Sequence, residues 1–296
     1  MAVAEPFIAP LPAGRWRGVP TGVGRAAKLL SRARRTDVLA AGLFLVVTVV
    51  ALAGPVLAPH NPLAAGANEN APPFHPSNLL GTDAIGRDVL SRVLYGIRTS
   101  WFSALVVILS GVLVGGLVGL VAGASGGWID GLLMRTTDAF LALPGPIIAI
   151  CVVAALGPSL RNTLIAVAIV WWPFYARIVR GEIRALGARP HLEAARLAGV
   201  GPVRRALRHL LPGAVPAIVV TASLDVANLL VTLAGLSFLG LGSPEPAPEL
   251  GAMAAQNLQY LLSDWWEPVM PALAIFALAM AANIAGDGIR NLMRRP

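Results

Sequence analysis

Long runs without a charged residue dominate the chain, at 38–57, 99–129, 139–160, 162–176 and 268–286, with a further run at 210–244 broken only by Asp225. A helix that crosses the hydrocarbon core of a bilayer needs about 20 mostly apolar residues, so the pattern predicts six crossings. The run at 162–176 is short and gains its length by continuing through Arg177, Ile178 and Val179. The run at 210–244 is long enough for two crossings, and length alone does not decide between one and two.

Charge placement decides. Arg15, Arg17, Arg25, Lys28, Arg32, Arg34 and Arg35 precede the first run. Arg177, Arg180, Arg184, Arg189, Arg196, Arg204, Arg205 and Arg208 lie between the fourth and fifth, and Arg290, Arg294 and Arg295 follow the last. With six crossings all three clusters fall on one side, which the positive-inside rule makes the cytoplasm. A seventh crossing would carry the last cluster outside. The segment 243–267 holds Glu245, Glu249, Asp264 and Glu267 with no basic residue, as expected of an external loop. The sequence therefore predicts a multi-pass membrane protein with both termini cytoplasmic.

Composition narrows the class. Hydrophobic residues make up 56% of the 296 and charged ones 13%, which excludes an ordinary soluble protein. The orientation rule already accounts for the arginines, so the net charge of +8 calls for no nucleic-acid partner. The single cysteine, Cys151, has no partner for an internal disulfide. His60, His75, His191 and His209 are too scattered to form a metal site.

Residues 1–36 are Pro-, Gly- and Arg-rich and are expected to form a cytoplasmic tail. The run at 38–57 is expected to be a retained first crossing, because Pro55 closely follows the signal-peptidase-like Ala51-Leu52-Ala53. Residues 37–98 then read as an N-terminal extension: that crossing, an irregular external loop, and an amphipathic helix at the external interface. Thr82 or Asp83 is expected to cap this helix, with Asp88 pairing to Arg92 one turn on. Residues 99–292 hold the other five crossings. Gly111, Gly115, Gly119 and Gly123 recur every fourth residue and predict close helix packing. Asp130, Arg135 and Asp138 mark a short cytoplasmic turn, and Pro144 and Pro146 a kink in the third crossing. Trp171, Trp172, Phe174 and Tyr175 are expected in an interfacial aromatic belt. Asp225, with Thr221 and Asn228 one turn away, either lines a translocation path or makes an interhelical hydrogen bond.

The segment 189–212 is the one long polar stretch in the second half. Pro190 suits a first helical turn, Gly199 and Gly201 end that helix, and Pro202 opens the next. Glu193-Ala194-Ala195, then Gly199, then Leu211-Pro212, resembles the EAA loop of ABC importer permeases, with His209 where that family often has Ile. The string from Gly81, Thr82 and Asp83 through Gly86, Arg87 and Asp88 to Ser91 and Arg92 resembles the N-terminal signature of the C-type permease in peptide and nickel importers. Further matches are the 236–242 segment before Pro244, with Leu250 where Trp is usual, and Asn283, Gly286, Asp287, Gly288 and Arg290, with Asn291 where Asp is common.

The resemblance implies an all-α, six-crossing type I ABC importer permease in the bacterial inner (plasma) membrane. Its coupling loop would be carried by Glu193, Ala194, Ala195, Gly199, Leu211 and Pro212. Expected partners are a second homologous permease, two ATP-binding subunits, an extracytoplasmic substrate-binding protein and membrane lipid. The expected cargo is di- or oligopeptide, with nickel or another small solute as the alternative. The 81–92 motif would contact the partner permease or a docked binding protein. The sole lysine, Lys28, follows Ala27 rather than Gly, so the chain has no phosphate loop. It is therefore expected to be no enzyme, to bind no cofactor, and to leave ATP and Mg to its partners. The rival is an ion-coupled secondary transporter relaying charge through Asp225.

Overall fold

The computed structural model describes residues 35–294. Of the tail expected at 1–36, residues 1–34 lie outside them, and Arg35 and Thr36 belong to the first helix. The helices of the described chain are α1 (Arg35–Leu57), α2 (Val89–Ser125), α3 (Gly127–Leu141), α4 (Gly145–Leu156), α5 (Leu160–Gly187), α6 (Pro190–Leu197), α7 (Pro202–Arg205), α8 (Leu211–Phe238), α9 (Leu250–Gln256) and α10 (Trp266–Arg294), with irregular segments at 58–88 and 239–249.

Helix α2 sets the frame. Its 37 residues run about 55 Å, so the two ends define opposite faces of the bundle. It begins five or six residues later than the capping signals at Thr82 and Asp83 predicted. The cap is Asp88, which accepts from the Ser91 N–H at 2.8 Å and the Ser91 hydroxyl at 2.7 Å. Asp88 therefore does not pair with Arg92, and the amphipathic stretch is the start of a spanning helix rather than a separate element. The expected division at 98/99 falls inside α2.

The glycine stripe packs as predicted, against α5. A Cβ built on Gly115 would lie 2.2 Å from the Trp172 carbonyl oxygen, and one on Gly119 2.5 Å from that of Ala176. In lipid, where burying apolar area gains little, such backbone contact is a main source of helix association. Trp101, fully buried on α2, donates from Nε1 to the Thr48 hydroxyl of α1 at 3.1 Å and packs on Phe44.

Among the described residues, five helices are long and apolar enough to cross a membrane, and α3 with α4 make a sixth candidate as one broken span bent by 82°. Helix α4 spans about 18 Å, too short to cross alone. Connectivity requires the pair to carry the chain across, since α2 ends at one face and α5 starts at the other. The Thr163 hydroxyl near the start of α5 donates to the Leu241 carbonyl just beyond α8, which fixes that face.

The kink at Pro144 is present, but the turn expected at 130–138 is a helix. Its charges are neutralised across space: Asp130 by Arg180 and Arg184, and Asp138 by Arg177 at 2.5 Å. The aromatic belt is also corrected. Tyr175 is fully buried and Trp171 half-buried, and both point into the bundle; Phe174 alone of the four is exposed.

Candidate functional site

Two candidate regions lie at opposite ends of α2, with Asp225 between them. At the α2 C-terminal end stands helix α6. Arg189 enters it in an extended conformation (φ −80°, ψ 140°) and Pro190 occupies the first turn, where its missing N–H costs nothing. Leu192 is buried among Leu120, Val179, Ile183, Leu186, Leu210 and Ala214, and so anchors α6 to the ends of α2, α5 and α8. Glu193, Ala194 and Leu197 share the outward face at helical spacing. Leu197 is 85% exposed. A small alanine beside an uncovered leucine and a carboxylate leaves a face whose backbone can be approached closely. Sequence reasoning missed both leucines, although a leucine on either face of a short polar helix was a usable signal.

The corner after α6 ends in a Schellman turn. Gly199 has φ +78°, its N–H donates to the Arg196 carbonyl at 3.0 Å, and the Val200 N–H reaches the Ala195 carbonyl at 3.1 Å. Beyond Pro202 the expected second short helix does not stop. It continues through a widened π turn at Ala206–Leu210 into α8, with the Leu211 N–H bonded to the Ala206 carbonyl. Pro212 has no N–H and its ring would clash with the carbonyl four residues back, so the turn before it opens. Leu211 and Pro212 thus belong to the spanning helix, and of the six expected residues Glu193, Ala194, Ala195 and Gly199 lie in the projecting element.

Just above this element, Asp130 of α3 is 5% exposed and binds two successive turns of α5. Arg180 donates to it at 2.5 and 2.7 Å, and Arg184 binds the same carboxylate. The lower ends of α3 and α5 are therefore tied, and α6 hangs directly from α5.

At the opposite end the 81–92 motif is a buried knot. Gly81 (φ +80°) and Gly86 (φ +78°) adopt backbone that only glycine takes readily. Asp83 accepts from the Arg87 N–H at 2.8 Å and from Arg87 Nε at 2.6 Å, with Arg92 Nε 3.8 Å away. Thr82 donates to the Asn68 carbonyl and accepts from the Ala71 N–H, while Trp266 Nε1 donates to the Thr82 carbonyl at 3.0 Å. Arg92 reaches the carbonyls of Pro62 and Pro246 at 3.1 and 3.4 Å. Thr82, Asp83, Arg87, Asp88, Ser91 and Arg92 are all buried; their side chains join segment 58–88 to the 243–249 loop, and the Thr82 carbonyl ties in the start of α10. The direct contact with another subunit expected of them does not fit that burial. Leu250, where the family's Trp is usual, is fully buried over Gly96.

Asp225 is 6% exposed and takes donors from α5: Trp171 Nε1 at 2.5 Å and the Tyr175 hydroxyl at 3.1 Å, both on one oxygen. Asn228 donates to the other oxygen at 3.4 Å. Of the two roles open to it from sequence, the geometry supplies the interhelical hydrogen bond. Thr221 is not among its partners.

Comparison with known proteins agrees with this architecture. Residues 115–295 match the family model described as binding-protein-dependent transport system inner membrane component. The probable D,D-dipeptide transport system permease protein DdpC of Escherichia coli is 36% identical over 86% of this chain and 86% of its own length. The glutathione transport system permease protein GsiD of Pectobacterium atrosepticum is 40% identical over 72% of this chain and 71% of its own. Among solved structures, an inward-facing MetNI methionine ABC transporter superposes with a TM-score of 0.57 at 20% identity, covering 69% of this chain and 97% of that one, a likeness of fold. With a family match over more than half its length, the chain belongs to the binding-protein-dependent transport system inner membrane component family, and it is a multi-pass ABC importer permease that is not itself the catalyst.

Proposed function

We propose that the chain forms half of the translocation path of a di- or oligopeptide importer, beside a second homologous permease. Movement reaches it from two ATP-binding subunits through the element at Glu193, Ala194, Ala195 and Gly199, and cargo arrives on an extracytoplasmic binding protein. ATP and Mg are held by those partners. The peptide assignment is supported by relatives named for dipeptide and glutathione transport. Placing the projecting element and both termini in the cytoplasm is supported by the arginine clusters.

The observation that carries the coupling role is the outward face of α6, uncovered at Glu193, Ala194 and Leu197 and anchored behind by Leu192. When the ATPases close, α6 is displaced. Leu192 and the Asp130 pairs pass that displacement to α2, α3 and α5 as one body, so the bundle moves between two packed states rather than deforming gradually. A photoreactive or cysteine crosslinker at Ala195 tests this in native membranes. The expected adduct is with the ATP-binding subunit; adducts with lipid alone would overturn the proposal. Uptake of labelled dipeptides, longer peptides and nickel by the assembled transporter tests the cargo.

A further inference from the structure

Two cavities meet where α2, α5, α6 and α7 converge. The first, about 410 Å³, is polar and is walled by Arg184, Arg196 and Arg205, with Glu193 at its rim. The second, about 500 Å³, is apolar and lies between the last turns of α2 and the start of α7, walled by Leu117, Leu120, Val121, Val203 and Leu207. They share Ala124 and Arg205 in their walls, so the apolar flank of α2 adjoins a cluster of guanidiniums.

The charge is unbalanced. Asp130 and Glu193 are the carboxylates beside Arg180, Arg184, Arg196 and Arg205, so the polar cavity keeps a net positive charge. Arg184 already binds Asp130, whereas no ion pair is found for Arg196 or Arg205 among the described residues. The apolar arm is uncovered: Leu117 is 64% exposed and Val203 70%. A ligand that satisfies both arms has an anionic head of fixed hydrogen-bond acceptors and a hydrocarbon tail. Arginine binds phosphate oxygens with two parallel N–H donors, and basic pockets at the cytoplasmic ends of spanning helices suit anionic headgroups.

We propose that this groove holds an anionic phospholipid, its phosphate at Arg196 and Arg205 and one acyl chain along Leu117, Val121 and Val203. A lipid seated there touches α6 at Leu192 and Arg196, on the side toward the bundle and bordering the outward face at Glu193, and so holds the coupling element against the bundle. The inference rests on the coupling reading only for placing α6 at the membrane surface.

The test uses the assembled transporter in nanodiscs of phosphatidylethanolamine with and without phosphatidylglycerol, followed by detergent release and native mass spectrometry. Wild type is expected to retain phosphatidylglycerol. Arg196→Gln with Arg205→Gln, which removes two charged hydrogen-bonding groups, is expected to lower retention about tenfold or more. Val121→Trp, and independently Val203→Trp from the opposite wall, fill the apolar arm at unchanged charge and should lower retention as well. Failure of wild type to retain the lipid overturns the proposal. So does full retention in both tryptophan variants, or displacement by inorganic phosphate, which would mark a free-anion site. Loss of the second permease from either tryptophan variant would instead make the groove a subunit interface. Lipid retention without an Ala195 crosslink to the ATPase would remove the coupling reading and leave the lipid site standing.

Discussion

Gly115 and the Trp172 carbonyl oxygen stand so close that a Cβ on the glycine would sit 2.2 Å from the oxygen, with the Tyr175 Cβ at 2.8 Å. Neither neighbour can retreat cheaply, because one is backbone and the other belongs to a fully buried side chain. Gly115→Ala is expected to separate α2 from α5 and to cost about 1–3 kcal/mol, measured as a lowered melting temperature of the purified transporter. Gly116 is the matched control. An added Cβ there meets nothing within 4 Å, so Gly116→Ala should be neutral or stabilising by up to about 1 kcal/mol through helix propensity. Equal effects at both positions would refute the packing account.

The Asp130 clamp predicts a coupling defect rather than a folding failure. Arg180 and Arg184 retain access to water, so losing their shared carboxylate leaves no fully buried charge. A double-mutant cycle between Asp130→Asn and Arg180→Gln should return about 1 kcal/mol, near the upper end for partly exposed pairs, and shrink with added salt. Uptake should fall further than stability does, because α3 would no longer follow α5. A cycle energy near zero with normal uptake would remove the clamp from the mechanism.

Gly199 makes the projecting element a corner. Proline fixes φ near −65°, far from the +78° found here, and would delete the bond to the Arg196 carbonyl. The surroundings are open, with nothing within 4 Å of an added Cβ, so the bundle itself is untouched. Gly199→Pro should therefore reach the membrane at normal abundance and fail to transport. Gly199→Ala, which only bears the left-handed backbone at about 1 kcal/mol, should keep most uptake. Normal uptake by the proline variant would count heavily against coupling through this corner.

What the sequence disclosed and what it hid follow one physical division. The long apolar runs and the glycine stripe are local patterns with a single spatial meaning, and α1, α2, α5, α8 and α10 appear where those patterns lie. Helix α3 was hidden because Asp130 and Asp138 look like turn residues until their arginines arrive from α5. The continuity of α7 into α8 was hidden because Pro212 looks like a stop until the preceding turn widens. In the projecting element, Glu193 and Gly199 were legible as a motif, whereas Leu192 and Leu197 differ only once one faces the core and the other does not. The 81–92 string was legible as a signature, but its burial was not, since Pro62, Pro246 and Trp266 come from distant segments.

Asp225 separates a clasp from a relay. Trp171 Nε1 and the Tyr175 hydroxyl both donate to the same carboxylate oxygen, and Asn228 lies at the other. An asparagine presents one oxygen to the first two and loses the charge assistance; its NH2 replaces the oxygen that Asn228 meets, and a flip of the exposed Asn228 amide restores that bond, so Asp225→Asn should hold α5 to α8 and keep uptake within about twofold. Asp225→Leu leaves two donors without an acceptor and should cost about 1–3 kcal/mol, with uptake falling in step with the amount of assembled transporter. Tyr175→Phe removes one donor and should cost less, about 0.6 kcal/mol, as is typical of hydrogen bonds between membrane helices. A residue that carries protons or ions behaves differently, because asparagine cannot exchange a proton there. If Asp225→Asn assembled fully yet lost transport, the carboxylate would belong to the translocation path and the clasp would be the lesser part of its role.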